Sequence, residues 1–160
     1  VRSCSDVHNY LMEQDVPHEV LHLPALARTA RAASELLAVP LADVVKTLVF
    51  LLDDKPTLVL IAGDQVADAK RLAAVTGALE VAQVRGKQVF DITGYRAGAV
   101  PPCGLATTLP AIADARIFLR DVVYCGGGAT ATMLKLRSSD LRRLLRPAVA
   151  DIATMKTERT

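Results

Sequence analysis

The sequence predicts a single α+β domain over residues 1–160, with a curved, mixed β-sheet and a few packing helices. Strand-like and helix-like segments are interspersed, yet short hairpins recur where a doubly wound fold would need helical crossovers. No internal repeat or low-complexity linker divides the 160 residues, a length that suits one self-contained core. Apolar residues make up 51% against 22% charged, so the chain is expected to fold rather than stay disordered.

Residues 5–15 read as a first helix, with Ser5 or Asp6 as its cap and Val7, Tyr10 and Leu11 at helical spacing. Pro17 stops it, and 18–23 reads as a strand ending at Pro24. His18 and His22 have the spacing of a helical metal pair, but a strand separates their Cα atoms by about 13 Å, too far for one metal. His22 alone could still face a site. Residues 28–39 form a short amphipathic helix capped by Thr29 and ended by Pro40. The apolar run 43–52 is a strand, Asp53 to Pro56 supply a turn, and 57–62 return as its hairpin partner. After Gly63-Asp64, residues 66–76 suit a helix closed by Gly77, and 81–84 begin another short element.

Thr93 to Gly104 holds three glycines and two adjacent prolines, so it is neither a regular helix nor a central strand. Such a stiffened loop either presents carbonyls and amides to a small polar ligand or serves as a rigid crossover. It is not a phosphate P-loop, because no Lys-Ser or Lys-Thr follows the glycines. Residues 111–114 and 116–119 are expected as short strands, and 121–125 with 132–136 as a hairpin through Gly126, Gly127 and Gly128. Ser138, Ser139 and Asp140 are expected to cap a helix with Leu141, Leu144 and Leu145 on one face and Arg142, Arg143 and Arg146 beside it. The stretch 151–160 is expected as a flexible tail.

Composition removes several functions. Aromatics at 4% argue against broad base-stacking platforms, and a net charge of +2 does not by itself announce a nucleic-acid binder. The three cysteines form no CxxC pair, the N-terminus lacks a continuous apolar segment, and no run approaches the roughly 20 apolar residues of a membrane span. A soluble cytoplasmic protein with free thiols is expected, with no metal or other cofactor. Cys103 has no activating His or Lys nearby in sequence, which weakens it as a nucleophile.

Lys46 stands out as the one cation inside the apolar run 44–52. Strand alternation puts Val44, Lys46, Leu48, Phe50 and Leu52 on one face, and Val45, Thr47, Val49 and Leu51 on the other. An ammonium there must reach water, find an anionic partner or lose its charge. Two readings follow: an edge lysine snorkelling outward, or a lysine aimed into a pocket that receives a phosphate or a reacting carbonyl.

The ordered set of short motifs resembles the YbaK/ProX family of aminoacyl-tRNA deacylases, which is similar to the editing insertion of bacterial prolyl-tRNA synthetases. The resemblance rests on Val45-Lys46-Thr47-Leu48, the Gly63-Asp64 turn with Asp68 and Lys70, and Thr93-Gly94-Tyr95. It continues through the Gly98 to Pro102 loop, Leu109-Pro110 with Asp114, Tyr124 to Gly127, and Asp140-Leu141. It implies hydrolysis of the ester joining a wrong, small amino acid to the 3′ end of an aminoacyl-tRNA, on a proline tRNA or a related one. An aminoacyl-tRNA synthetase is the further partner it suggests. Lys46 matches the family's lysine associated with deacylation, and Gly98, Ala99, Val100, Pro101 and Pro102 its substrate-cradling loop. His22 and Asp140 are secondary candidates for shaping the site, against plain readings as a surface histidine and a helix cap. Relatives commonly carry glycine at Ala99, often serine at Pro101, an apolar residue at Cys103 and in some cases tyrosine at Val20, so the departures concern the choice of amino acid. The competing reading is a non-catalytic module of the same fold that binds tRNA ends or small ligands.

Overall fold

From the N-terminus, the computed structural model, which describes residues 2–156, runs α1 (Cys4–Glu13), β1 (Glu19–His22), α2 (Ala30–Leu37), β2 (Val45–Leu52) and β3 (Lys55–Ala62). It continues with β4 (Gln65–Ala67), α3 (Ala69–Thr76), β5 (Val81–Gln83), α4 (Lys87–Thr93), β6 (Ala111–Asp114) and β7 (Val122–Gly126). The chain then forms β8 (Thr132–Arg137), α5 (Ser138–Leu145), β9 (Ala148–Ala150) and β10 (Ala153–Met155). Five strands form a mixed sheet in the order β5-β2-β3-β6-β9, antiparallel at its β5-β2-β3 side and parallel beyond. A second sheet orders β1-β8-β7, and β10 pairs with β4. The expected α+β class with a mixed sheet is the one observed.

The alternation read from β2 sorts the core. Val45 and Val49 pack with Leu58, Leu60, Val123, Leu134 and Leu141 between the large sheet, the second sheet and helices α1 and α5. Phe50 and Leu52 pack on the opposite face with Val59, Ile61, Leu72 and Ile152. The hairpin β2-β3 turns through Asp53 and Asp54 alone, with φ of 48° and 65°. That left-handed pair matches the twist of the flanking strands, and aspartate tolerates it better than most residues.

Several boundaries differ from expectation for local reasons. Ser3 caps α1, in a reciprocal box with Asp6, so Ser5 and Asp6 lie inside the helix. Asp68 caps α3 by accepting from the amides of Lys70 and Arg71, which shortens the expected 66–76 helix and frees 65–67 for β4. Residues 115–119 wind as a 3₁₀ helix rather than a strand, because the Asp114 carboxylate accepts the Arg116 amide. Ser138 does not cap α5; its hydroxyl donates to the Arg120 carbonyl, and Arg137 holds the cap position without a side-chain bond. Helix α4 and strand β9 had no counterpart in the sequence reading.

Over 151–156 the expected tail is replaced by ordered chain. Ile152 and Ala153 are fully buried, Ala153 to Met155 pair with β4, and the Lys156 amide donates to the Asp64 carbonyl at 2.9 Å. Residues 157–160 lie outside the described residues. A three-residue strand shows no alternation, and its partner lies some ninety positions back, so local pattern carries no trace of it.

Candidate active site

Strand β2 is paired along its whole length on the β3 side but only in part on the other. On that second side β7 touches it at an isolated bridge, Val44 to Tyr124, and β5 joins only from Phe50 onward. The gap between opens into a cavity of about 530 Å³ that wraps the strand edge, so Lys46 and Thr47 line it from opposite faces of one strand. Thr29 and Ala30 at the start of α2, Gly63, Val84 to Gly86, Val89, Gly98, Val100, Gly126 and Met133 complete much of the wall.

Lys46 is half-buried, and its Nζ donates to the Gln65 carbonyl. Its pKa lies below the ordinary lysine value, first because burial penalises the charged form and then because Lys156 is nearby, while Asp64 acts in the opposite sense. Lys46 is therefore neither of the simple alternatives: it is an edge lysine whose edge forms a cavity wall. If its charge is what the site uses, activity falls as pH rises through this lowered pKa. Lys156→Met is expected to move that alkaline limb to higher pH and Asp64→Asn to lower pH, measured as kcat/KM after subtraction of spontaneous ester hydrolysis.

The loop of residues 94–104 is held at several points. The Thr93 hydroxyl donates to Val89 O, while its oxygen accepts the Tyr95 amide, fastening the loop to the end of α4. The buried Tyr95 hydroxyl donates to Gly104 O at 2.6 Å, and desolvation pushes its pKa up to about 12. In mid-loop, the Gly128 amide donates to Ala99 O at 3.0 Å. Gly126 lets the loop lie against β7, since a Cβ there would stand 2.5 Å from Val100 O. Gly98 itself has a φ of 87°, a conformation other residues rarely adopt.

The structure brings together some of the sequence-derived candidates and separates others. Lys46, Gly98 and Val100 share the cavity wall. Ala99 and Pro101 are buried behind it, and Pro102 lines a second cavity of about 450 Å³ with Cys103. His22 is exposed on β1, and Asp140 binds Arg143 within α5; neither lines the Lys46 cavity. The Cys103 thiol, 5% exposed, is pushed up to about 12 by burial, which leaves it protonated at neutral pH. His8 and His18 contact each other at 2.8 Å, outside the cavity wall.

Sequence reasoning missed the cations that surround Lys46. Arg28, Arg31, Arg85 and Lys156 also line the cavity, giving five cationic side chains. Among the described residues, that wall contains no Asp, Glu, His or Cys. The residues come from four separate segments, and no local motif links them. The wall suits an anionic ligand and supplies no side-chain nucleophile of the cysteine type or carboxylate base.

The sequence profile of the aminoacyl-tRNA editing domain matches residues 25–144, three-quarters of the chain. The chain belongs to that family. This aminoacyl-tRNA editing domain is 29% identical over 131 residues to a proline–tRNA ligase of Desulfotalea psychrophila, covering 82% of this chain and 22% of the ligase. The chain thus spans about a fifth to a quarter of the ligases it matches. It is 30% identical over 95 residues to the multifunctional Ser/Thr-tRNA deacylase ProXp-y of Escherichia coli, covering 59% of this chain and 57% of that one. A crystal structure described as a candidate trans-editing enzyme for prolyl-tRNA synthetase superposes with a TM-score of 0.87 at 27% identity, covering 96% of this chain and 98% of that one. No helix among the described residues is long and apolar enough to cross a membrane.

Proposed function

We propose that this editing domain is a deacylase that hydrolyses the ester between a small amino acid and the terminal adenosine of a mischarged tRNA, on a proline tRNA or a related one, acting in trans in the cytoplasm. The observation that carries the reading is the cavity wall: among the described residues, five cations, no acid, and an open strand edge above an apolar floor of Val45, Val49, Val84 and Val89. A tRNA 3′ end offers the matching parts, a phosphate chain for the cations and, beyond it, a small aminoacyl ester for the apolar floor and the open strand edge.

An aminoacyl ester is already activated, so holding it in place and stabilising the developing oxyanion supplies much of the catalysis. Lys46 provides the charge, either at the terminal phosphate or beside the carbonyl. Backbone groups of the 98–102 loop, with Gly98 and Val100 at the wall, fix the aminoacyl moiety. Water attacks the carbonyl carbon and gives up a proton, directly or through a neighbouring substrate hydroxyl. The bond to the ribose oxygen then breaks, that oxygen takes up the proton, and the free amino acid and the tRNA hydroxyl are the products. A synthetase that charges the same tRNA is the natural supplier of substrate.

The test is a deacylation panel of prolyl, alanyl, cysteinyl, seryl and threonyl esters on several tRNAs. Turnover of a small-residue ester is expected, whereas saturable binding without turnover would make the domain a binding module. Affinity for the tRNA is expected to fall with salt, and Arg28→Ala with Arg31→Ala should flatten the log–log slope by about 1.4, at roughly 0.7 per single-strand phosphate contact. An unchanged slope would remove both arginines from the phosphate path.

A further inference from the structure

We infer that Thr47 is a positioning residue that receives the α-ammonium group of the aminoacyl ester, through its hydroxyl and the carbonyls of the open β2 edge. The inference rests on the reading that this cavity takes an aminoacyl ester, and it adds which end of the ester lies where.

Hydrogen-bond parity along β2 supports it. Val44 O accepts the Gly63 amide at 2.7 Å on the β3 side, whereas Val49 O accepts the Val84 amide at 2.9 Å on the other. In a strand, successive residues direct their N–H and C=O to opposite edges. Val45, Thr47 and Val49 therefore present theirs to the side where no strand pairs between the Val44 bridge and Phe50. The Thr47 amide and carbonyl sit mid-gap, in the cavity wall. The Thr47 hydroxyl oxygen is buried and has no hydrogen-bond partner among the described residues, although Thr47 lines the cavity.

A buried hydroxyl without a partner is costly, and a ligand group is one way to satisfy it. Charge decides which group. Five cations occupy the rest of the wall and repel an ammonium, while a backbone carbonyl and a hydroxyl oxygen accept its protons. Lys46 directs its own ammonium away from this spot, to Gln65 O on the opposite face of the strand. The phosphates then lie towards the arginines, and the amino acid lies against Val45, Val49 and Val100.

The experiment uses two probes, 3′-deoxy-3′-(L-alanylamino)adenosine, whose amide replaces the labile ester, and its N-acetyl derivative, titrated by calorimetry into the wild-type, Thr47→Val and Thr47→Ser proteins. The wild type is expected to bind the free amine about 10-fold or more tightly than the acetylated probe, the range of one charge-assisted hydrogen bond. Thr47→Val should lose most of that preference with the acetylated probe unaffected, and Thr47→Ser should keep it. Because the hydroxyl has no partner among the described residues, Thr47→Val should not lower the melting temperature. The inference is overturned if the wild type does not distinguish the probes or binds neither, or if Thr47→Val weakens both equally or neither. Amine discrimination without turnover of any aminoacyl-tRNA would sink the hydrolase reading and leave this one standing. Turnover without discrimination would do the reverse.

Discussion

Lys46→Ala is expected to lower kcat/KM for deacylation by about 100-fold or more, the usual scale for removing one preorganised charge from a reacting centre. The split between kcat and KM tells where the charge acts. A loss confined to KM places the ammonium on a phosphate that is bound alike in ground and transition states. A loss in kcat places it beside the carbonyl, where negative charge develops only during reaction. The fold should tolerate the change, because burial already disfavours the charged form and the main loss is one bond to the Gln65 carbonyl. Lys46→Met keeps most of the stem packing and removes only the charge, so it should match the alanine variant in rate. Full deacylation by either variant on a confirmed substrate would remove Lys46 from the mechanism.

Asp114→Ala is the second large effect, and it acts on stability. Asp114 is 0% exposed; one oxygen accepts the Ile152 amide at 3.0 Å and the other the Arg116 amide at 3.0 Å. Without the carboxylate, a buried N–H loses its partner and the turn after β6 loses its cap, together costing about 2–4 kcal/mol. For a domain of this size that is a fall in melting temperature of roughly 5–15 °C. The damage should spread to the site, because Ile152 leads directly into β10, which ends beside Lys156 at the cavity wall. Weaker tRNA binding is expected alongside the lower melting temperature, and Asp114→Asn, which keeps an acceptor oxygen, should fall between the two. A variant that melts like the wild type would show that the Ile152 amide finds another partner.

What the sequence made legible follows from the range of each interaction. The faces of β2, a turn starting at Asp53 and the irregular loop around Gly98 depend on neighbours within a few residues and could be read directly. The turn is nonetheless two residues rather than the four expected, since Lys55 and Pro56 already pair in β3. Thr29 caps α2 for the same reason. The cations around Lys46 could not be read, since Arg28, Arg31, Arg85 and Lys156 are ordinary surface residues until the sheet brings them together. Residues 151–156 looked like a tail because they are short and their partners distant. The division of the candidate loop between two cavities left no trace in the sequence: Gly98 and Val100 face one and Pro102 the other, as set by the bonds at Ala99 and Gly104. His22 came from a rejected metal pair on β1 and Asp140 from motif order, and neither source carries information about direction in space.

The contact at Gly126 limits how such a pocket can be altered. Only a hydrogen atom fits between β7 and the Val100 carbonyl, so the hairpin acts as a stop against which the loop is set. A stop of that kind fixes depth and leaves width free. Selectivity can drift through the size of the side chains that project inward, such as Val84, Val89 or Val100, with the backbone frame unchanged. Exchange of the loop for one of another length would lose its seating, and re-lettering it in place would not.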